Sequence, residues 1–335
     1  MVELGTEDRD RVVERPVRRI GSGFRVGRVL RGGWRPLAIA IVIFAALYYP
    51  VGVLMIHVID DDLDYRAEPS DVPEGGSHVV ATMAALIWRE VETHRWTPND
   101  PWFVPSAAMD NMPNFQLGMI SAMSRFSIEL ADQIGRVRGS SAADDNLQRA
   151  SGGLKVSGTR WTWDPSVSIW PVASAESEFL AARRNLVEYN ARLAAGSAIF
   201  DRRVDNLLVA IDRIANDLGA SSQAIDDHVR EHAGRWRVDF KVDDEFYRIK
   251  GQSYAYYLIL RDLGRDFDNV LAERNLALPW TEMLAVLRQT AGLDPLVVLN
   301  GSPDGLIFPS HLASQGFYLM RARTKLREIS NILLK

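Results

Sequence analysis

The chain has 335 residues, of which 47% are hydrophobic and 24% are charged, and it carries a formal net charge of −4. This composition is typical of a folded globular protein, and the negative charge argues against nucleic acid as a partner. The sequence contains no cysteine, which excludes disulfide bonds, thiolate catalysis and cysteine-ligated metals.

Residues 1–36 form a basic arm that lacks an apolar period and contains several glycines. Such a segment cannot bury enough apolar surface to fold by itself, so we expect it to be disordered. Its glycine-rich dipeptides do not indicate a phosphate-binding loop, because no strand precedes them and the required lysine is missing.

Residues 37–59 contain no Asp, Glu, Lys or Arg and end at three consecutive aspartates. A helix of this length reaches roughly 30 Å, enough to cross the hydrocarbon core of a bilayer. A cleaved signal peptide has a shorter apolar region, and a buried core helix seldom has so long an apolar run. The sequence therefore predicts a transmembrane helix at residues 37–59, with the lipid bilayer as its partner and a kink at Pro50.

The charges on the two sides of this span have opposite signs. The positive-inside rule places the N-terminus in the cytoplasm and residues 60–335 outside. The arginines are also expected to favour anionic lipid headgroups. A DNA-binding arm is the alternative, but a basic run beside a span is usually a topology signal. The arginines are Arg15, Arg18, Arg19, Arg25, Arg28, Arg31 and Arg35, and the aspartates are Asp60, Asp61, Asp62 and Asp64.

Residues 60–76 are rich in proline and glycine and predict a linker. Ser77 is expected to cap a helix that ends near residue 94. Three prolines make residues 96–105 non-helical, and we expect Trp96 and Trp102 to pin this loop onto the body. A second helix is predicted over residues 115–137. The polar, glycine-rich stretch after it leads to an ordered loop, which could contain short strands. Three tryptophans are expected to pin this loop onto the body, and they are Trp161, Trp163 and Trp170.

The clearest periodicity lies in residues 174–219, where a large apolar residue recurs every seven positions. It predicts one long helix, or two nearly coaxial helices with a break at Gly196, whose partner side changes near the break. Core packing in a helical bundle is the favoured interpretation, and an intermolecular coiled coil is the alternative. The stripe consists of Phe179, Leu186, Leu193, Phe200, Leu207 and Ile214.

Further helices are predicted over residues 243–274, 280–290 and 309–334, with a brief β-like run at 296–299. The predicted fold is therefore mainly α. A single N-terminal transmembrane helix precedes an all-helical, bundle-like extracytoplasmic domain with long helices, residues 77–335.

Asp201 and Asp205 are spaced i, i+4, so both carboxylates are expected on one face of the predicted helix, with arginines beside them. Such a pair could bind a cation or divide acid and base roles, or it could be salt-bridged within the bundle, which is commoner. Five polar residues are the ligand-binding candidates that would line a cleft in the first case. They are Asn190, Asp201, Arg203, Asp205 and Asn206.

Other polar groups indicate no chemistry. His228 and His232 have the spacing of a zinc-binding helix, but Val229 stands where a metalloprotease has its glutamate. Asp243, Asp244 and Glu245 are explained by the helix dipole at a helix start. No hydrolase, P-loop or dinucleotide motif is present, so the sequence predicts no metal, no cofactor and no catalytic residue.

Five motifs carry a family resemblance. They are Asp110-Asn111-Met112-Pro113-Asn114-Phe115-Gln116, Tyr189-Asn190-x-Arg192-Leu193, Phe200-Asp201-x-Arg203-x-Asp205-Asn206-Leu207, Asp243-Asp244-x-Phe246-Tyr247-x-x-Lys250-Gly251 and His311-Leu312-x-x-x-Gly316-Phe317-Tyr318. Together they resemble the proteobacterial membrane proteins of the Domain of Unknown Function 2333 family, over nearly the whole chain from the span onward. The resemblance implies a bacterial inner-membrane protein, and it brings no established activity or catalytic residues.

Two functions follow as hypotheses. The favoured one is a non-enzymatic, membrane-anchored periplasmic protein that serves as a structural or partner-binding module, with an envelope protein as its possible partner. The alternative is an enzyme or ligand-binding domain that acts on an envelope component such as peptidoglycan or lipid, with a polar cleft around residues 201–206.

Overall fold

The computed structural model describes residues 26–136, 143–163, 168–232, 240–295, 298 and 310–335. The predictions for residues 1–25, including the arginines up to Arg25, lie outside the described residues. So do most of the β-like run at 296–299 and the His232 side chain.

Helix α1 spans Val26–Ile56 and contains most of the predicted transmembrane segment. It begins within the arm for which disorder was predicted, and it continues as α-helix through Pro50. Its part Arg35–Ile56 has a mean hydropathy of 2.4, and none of its residues is buried. Among the described residues this is the one helix long and apolar enough to cross a membrane. The chain divides after Leu47 into two compact units, so the last turns of α1 belong to the second unit.

Nine helices follow in the described part of the second unit, and no strand element occurs there, which confirms the predicted all-helical fold. Helices α2 and α3 each continue into a π-helical turn, Arg89–Thr93 and Leu130–Ile134. The helices are α2 His78–Trp88, α3 Asn111–Glu129, α4 Asp145–Leu154, α5 Ala175–Ala194, α6 Val204–His232, α7 Phe240–Asp266, α8 Asp268–Glu273, α9 Ala277–Ala291 and α10 His311–Leu333.

Helix α7 is the centre of the body, where it packs against α3, α2 and α9. Its closest approach to α3 occurs at two glycines. A Cβ on Gly118 would overlap the Arg248 carbonyl oxygen, and a Cβ on Gly251 would overlap the Phe115 carbonyl oxygen. Because neither glycine has a side chain, the two helix backbones touch at these positions. This contact places the first turns of α3 and α7 side by side.

The break predicted at Gly196 is confirmed, since α5 ends at Ala194 and Gly196 has φ of 71°. Helix α5 packs against α2 and α4, whereas α6 packs mainly against α10. The partner side of the heptad stripe changes because the partner helices change. Phe200 is buried but lies in the connection between the helices rather than in a helix. The stripe is covered within one chain, as the core-packing interpretation predicts.

Helix α4 was missed in the stretch expected to be a polar, glycine-rich loop. The Asp144 carboxylate caps it by accepting from the backbone N–H groups of Asn146 and Leu147. Its apolar side is short but fully buried, through Leu147, Ala150 and Leu154. Ten residues with two glycines give too few apolar positions for a periodic signal.

The tryptophans expected to pin the loops differ in their surroundings. Trp96 is buried, and its indole N–H donates to the Gly158 carbonyl oxygen at 2.8 Å. Trp102 is 81% exposed, so the expectation that it pins its loop is wrong. The same correction applies to Trp161, Trp163 and Trp170, which are all exposed.

Candidate functional site

Residues 60–64, which we call the aspartate strap, are bound to the body by three of their carboxylates. Asp60 lies 3.4 Å from an Arg89 nitrogen and 3.0 Å from His94 Nε2. Asp61 lies 2.7 Å from Lys250 Nζ. Asp64 lies 2.8 Å from an Arg288 nitrogen. The start of the segment predicted to be a linker is therefore attached to the π-turn that follows α2, to α7 and to α9.

Arg89 connects the strap to a buried polar network. The side chain is 4% exposed, and its Nε donates to Glu90 Oε1 at 2.9 Å. Its remaining nitrogens donate to the Tyr254 hydroxyl at 2.8 Å and to the Asp60 carbonyl oxygen at 3.0 Å. Burial by itself would lower the pKa of Arg89, but Glu90, Tyr254 and Asp60 together raise it. The guanidinium therefore stays charged at the point where the strap meets the body.

Gln116 extends this network towards α3. Its Nε2 donates to Glu90 Oε2 at 3.1 Å and to the Arg95 carbonyl oxygen at 2.9 Å. Its Oε1 accepts from the backbone N–H of Thr97 at 3.0 Å and from the Thr97 hydroxyl at 2.8 Å. A fully buried amide with partners on both ends stabilises the loop after the π-turn.

Asp110, Asp243 and Asp244 meet where α3 and α7 begin, and we call them the carboxylate cluster. Asn114 Nδ2 donates to Asp244 Oδ1 at 2.7 Å. With its amide turned to satisfy its hydrogen bonds, Asn111 donates to Asp243 Oδ2 at 2.8 Å and to Asp110 Oδ1 at 3.2 Å. Two asparagines from the Asp110-Gln116 motif therefore hold the two aspartates of the Asp243-Gly251 motif.

The three carboxylates perturb one another. Burial, followed by the charges of Asp110 and Asp244, raises the pKa of Asp243 to about 6. Burial and the Asp110 carboxyl raise the pKa of Asp244 to about 6. Near neutral pH the cluster can therefore take up or release protons, which is the property required of a general acid or base. No group of three or more His, Asp or Glu side chains among the described residues is arranged to hold a metal ion.

One face of α7 joins the cluster to the strap. Tyr247 and Lys250 follow Asp243 at spacings of four and seven, and Tyr254 follows at eleven, so all lie on one stripe of the helix. Burial, followed by the charges of Asp243 and Asp294, raises the pKa of Tyr247 to about 12. Lys250 is 1% exposed, and its second carboxylate, Asp294, lies at 3.3 Å. The Asp243-Gly251 motif contains three of these four residues, at helical spacing, and Tyr254 lies beyond its end.

The five candidates from the sequence are not all in one place. Asn190 lies on α5, and its buried side chain contacts the residue that caps α2: its Oδ1 accepts from the Ser77 N–H at 2.7 Å and its Nδ2 donates to the Ser77 carbonyl oxygen at 3.2 Å. The other four lie together around the start of α6. Asp201 and Arg203 precede the helix, so the prediction that Asp201 and Asp205 share a helix face is wrong. Arg203 lies 2.6 Å from Asp201 and 3.8 Å from Asp205, and Asn206 Nδ2 donates to the Asp201 carbonyl oxygen at 3.0 Å. The arrangement is salt-bridged, and a role in ligand binding stays a prediction.

The comparisons with known proteins give one family. The family described as "Uncharacterized protein conserved in bacteria (DUF2333)" matches residues 93–234 and 234–335. No curated protein and no solved structure matches the chain. The matched residues include the carboxylate cluster, Lys250 and Tyr254, whereas the aspartate strap precedes them. The chain belongs to this bacterial family, the Domain of Unknown Function 2333 family.

Proposed function

We propose that this chain is a single-pass inner-membrane protein whose helical periplasmic body serves as a structural or partner-binding module of the cell envelope. The observation that carries the proposal is the segment Arg35–Ile56, which is strongly apolar and has no buried residue. Water does not solvate such a helix favourably, and lipid is the phase that covers it. The arginines before it and the aspartates after it favour a cytoplasmic N-terminus.

The aspartate strap supports a fixed attachment of the body. The partners of Asp60, Asp61 and Asp64 are basic residues on elements far apart in the chain, so residues 60–64 are held against the body. This arrangement differs from a free linker, which would let the body sample many positions.

The anionic headgroups of the cytoplasmic leaflet are the proposed partners of the arginines at residues 15–35. An enzymatic cleft around residues 201–206 gains no support from the geometry. Arg203 lies within salt-bridge distance of the Asp201 and Asp205 carboxylates, so this arginine already balances the charge of the acid pair.

Topology is tested by reporter fusions after residue 335 in a Gram-negative host. We expect an active alkaline phosphatase fusion, because this enzyme is active only after export. We expect a dark green fluorescent protein fusion, because this protein becomes fluorescent when it stays in the cytoplasm. The reverse pattern would refute the proposed orientation. A mature protein that lacks residues 1–59 would instead identify the segment as a cleaved signal.

The partner-binding role is tested by capture from native membranes. The full chain and a tagged fragment of residues 1–59 are purified in parallel with mild detergent, and co-purifying proteins are quantified by mass spectrometry. We expect at least one envelope protein to be enriched with the full chain and not with the fragment. Identical profiles would contradict a role of the body in partner binding.

A further inference from the structure

The turn that follows Trp96 exposes two aromatic side chains on a rigid base. Trp102 is 81% exposed and Phe103 is 52% exposed. The turn closes through a hydrogen bond of 2.9 Å from Val104 N to the Pro101 carbonyl oxygen. The Asp100 carboxylate holds the base by accepting from Arg95 at 2.8 Å and from the Ser106 hydroxyl. These side chains are therefore exposed in an ordered turn and not through local flexibility.

The same turn lies against the last turns of α1. The Tyr49 hydroxyl donates to the Trp102 carbonyl oxygen at 2.9 Å, and the Tyr48 hydroxyl donates to the Phe103 carbonyl oxygen at 3.2 Å. A Cβ on Gly52 would overlap the Pro105 ring, so the turn touches the helix there. These contacts lie one to two turns before Ile56, or about 10 Å along the helix axis. The turn is therefore beside the apolar segment and not beyond its end.

We propose that Trp102 and Phe103 insert into the outer leaflet of the membrane, at the boundary between headgroups and acyl chains, as a second attachment beside α1. Tryptophan favours this boundary because its large ring system can be buried while its indole N–H remains near water, and the Phe103 ring adds apolar surface beside it. The occupant is lipid because the turn packs against a helix segment that the proposed function places in the bilayer. The inference rests on that proposed anchoring, and its test reads the two separately.

The test uses spin labels on the full chain, which has no native cysteine that would compete for the label. Single variants Phe103→Cys and Trp102→Cys report on the turn. Val42→Cys reports on the anchor, since Val42 is 66% exposed within Arg35–Ile56. Phe317→Cys is the matched control, because Phe317 is 60% exposed on α10. Each labelled protein is reconstituted in phosphatidylcholine–phosphatidylglycerol vesicles, and circular dichroism verifies that its helix content is that of the unmodified chain.

Collision of each label is measured with oxygen, which concentrates in lipid, and with a nickel chelate, which stays in water. We expect oxygen to dominate at residues 42, 102 and 103, and the nickel chelate to dominate at residue 317. Nickel dominance at residues 102 and 103 with oxygen dominance at residue 42 would overturn the insertion and leave the anchor standing. Nickel dominance at all four would overturn the anchor itself. Exclusion of both reagents from residues 102 and 103 would indicate a protein contact and would also overturn the proposal.

Discussion

The Lys250 ammonium lies 2.7 Å from the Asp61 carboxylate, and the two side chains differ sharply in exposure. Lys250 is 1% exposed, whereas Asp61 is 34% exposed. The second carboxylate near Lys250, that of Asp294, is 78% exposed. The buried cation therefore depends on the strap more than the strap depends on the cation, because water can solvate Asp61 but cannot reach Lys250.

This difference in exposure predicts which of two nearly isosteric substitutions destabilises the protein more. Asp61→Asn leaves a buried ammonium with one weakly held partner, and we expect it to lower the free energy of unfolding by about 2–3 kcal/mol. Lys250→Met keeps the side-chain volume and leaves a carboxylate that can hydrate, so we expect a change within about 1 kcal/mol. Thermal melting of both variants in detergent micelles checks the order. A Lys250→Met protein that melts below Asp61→Asn would contradict the burial argument.

Two Gly→Ala substitutions, one at the contact of α3 with α7 and one in α4, are expected to change the stability in opposite directions. Gly118→Ala places a methyl group against the Arg248 carbonyl oxygen, and we expect a loss of about 1–3 kcal/mol because backbone cannot yield as a side chain can. Gly152→Ala in α4 meets nothing within 4 Å, and we expect a gain of up to about 1 kcal/mol from helix propensity. Melting temperatures of the two variants test this. Equal effects would show that α3 and α7 do not touch at Gly118.

The carboxylate cluster makes stability depend on pH between about 4 and 7. The folded-state pKa values of Asp243 and Asp244, about 6, lie above the unfolded value of about 4. The contribution of these two aspartates to stability is therefore complete below the unfolded pKa, and it is lost as pH rises through the folded pKa. We expect Asp243→Asn to be more stable than the unmodified chain at pH 7, by on the order of 1 kcal/mol after allowance for solvent screening, and equal to it near pH 4.

Asp60 supplies a control of opposite sign. Its burial alone would raise its pKa, but the Arg89 charge, the Asp62 backbone N–H and His94 outweigh burial and lower the pKa. Its contribution is present above the unfolded pKa and is lost as pH falls through the folded one. Asp60→Asn should therefore lose stability at pH 7 and approach the unmodified chain in acid. If the stability of Asp60→Asn and that of Asp243→Asn, each relative to the unmodified chain, changed with pH in the same direction, these assignments would be refuted.

Phe200 tests the core at the α5–α6 connection. It is 5% exposed, and its ring centroid lies 5.9 Å from that of Phe267. Phe200→Asp buries a carboxylate in this apolar contact, which costs several kcal/mol, comparable to the stability of a domain. The adjacent Ile199 is 44% exposed, so Ile199→Asp should cost less than about 1 kcal/mol. Soluble expression and circular dichroism separate the two, and a stable Phe200→Asp protein would contradict this core assignment.

Local pattern determined much of this protein. The apolar run before Asp60, the heptad stripe and the break at Gly196 were all predictable, because each depends on residues a few positions apart in the chain. Helix α4 was missed because a ten-residue helix with two glycines carries almost no period. The family could be predicted from five short motifs for the same reason, since each is a local pattern.

Only the tertiary structure decided where the polar groups meet. Asn114 and Asp244 are separated by 130 positions, and Asp62 and Tyr254 by 192, yet both pairs are hydrogen-bonded. The crossing of α3 and α7 at Gly118 and Gly251 aligns the two helix starts, and this alignment assembles the carboxylate cluster. The exposure of Trp102 has the same origin. The composition of the loop suits a buried Trp102 as well as an exposed one. The positions of Asp100 and of the end of α1 decide between the two, because packing, unlike periodicity, is non-local.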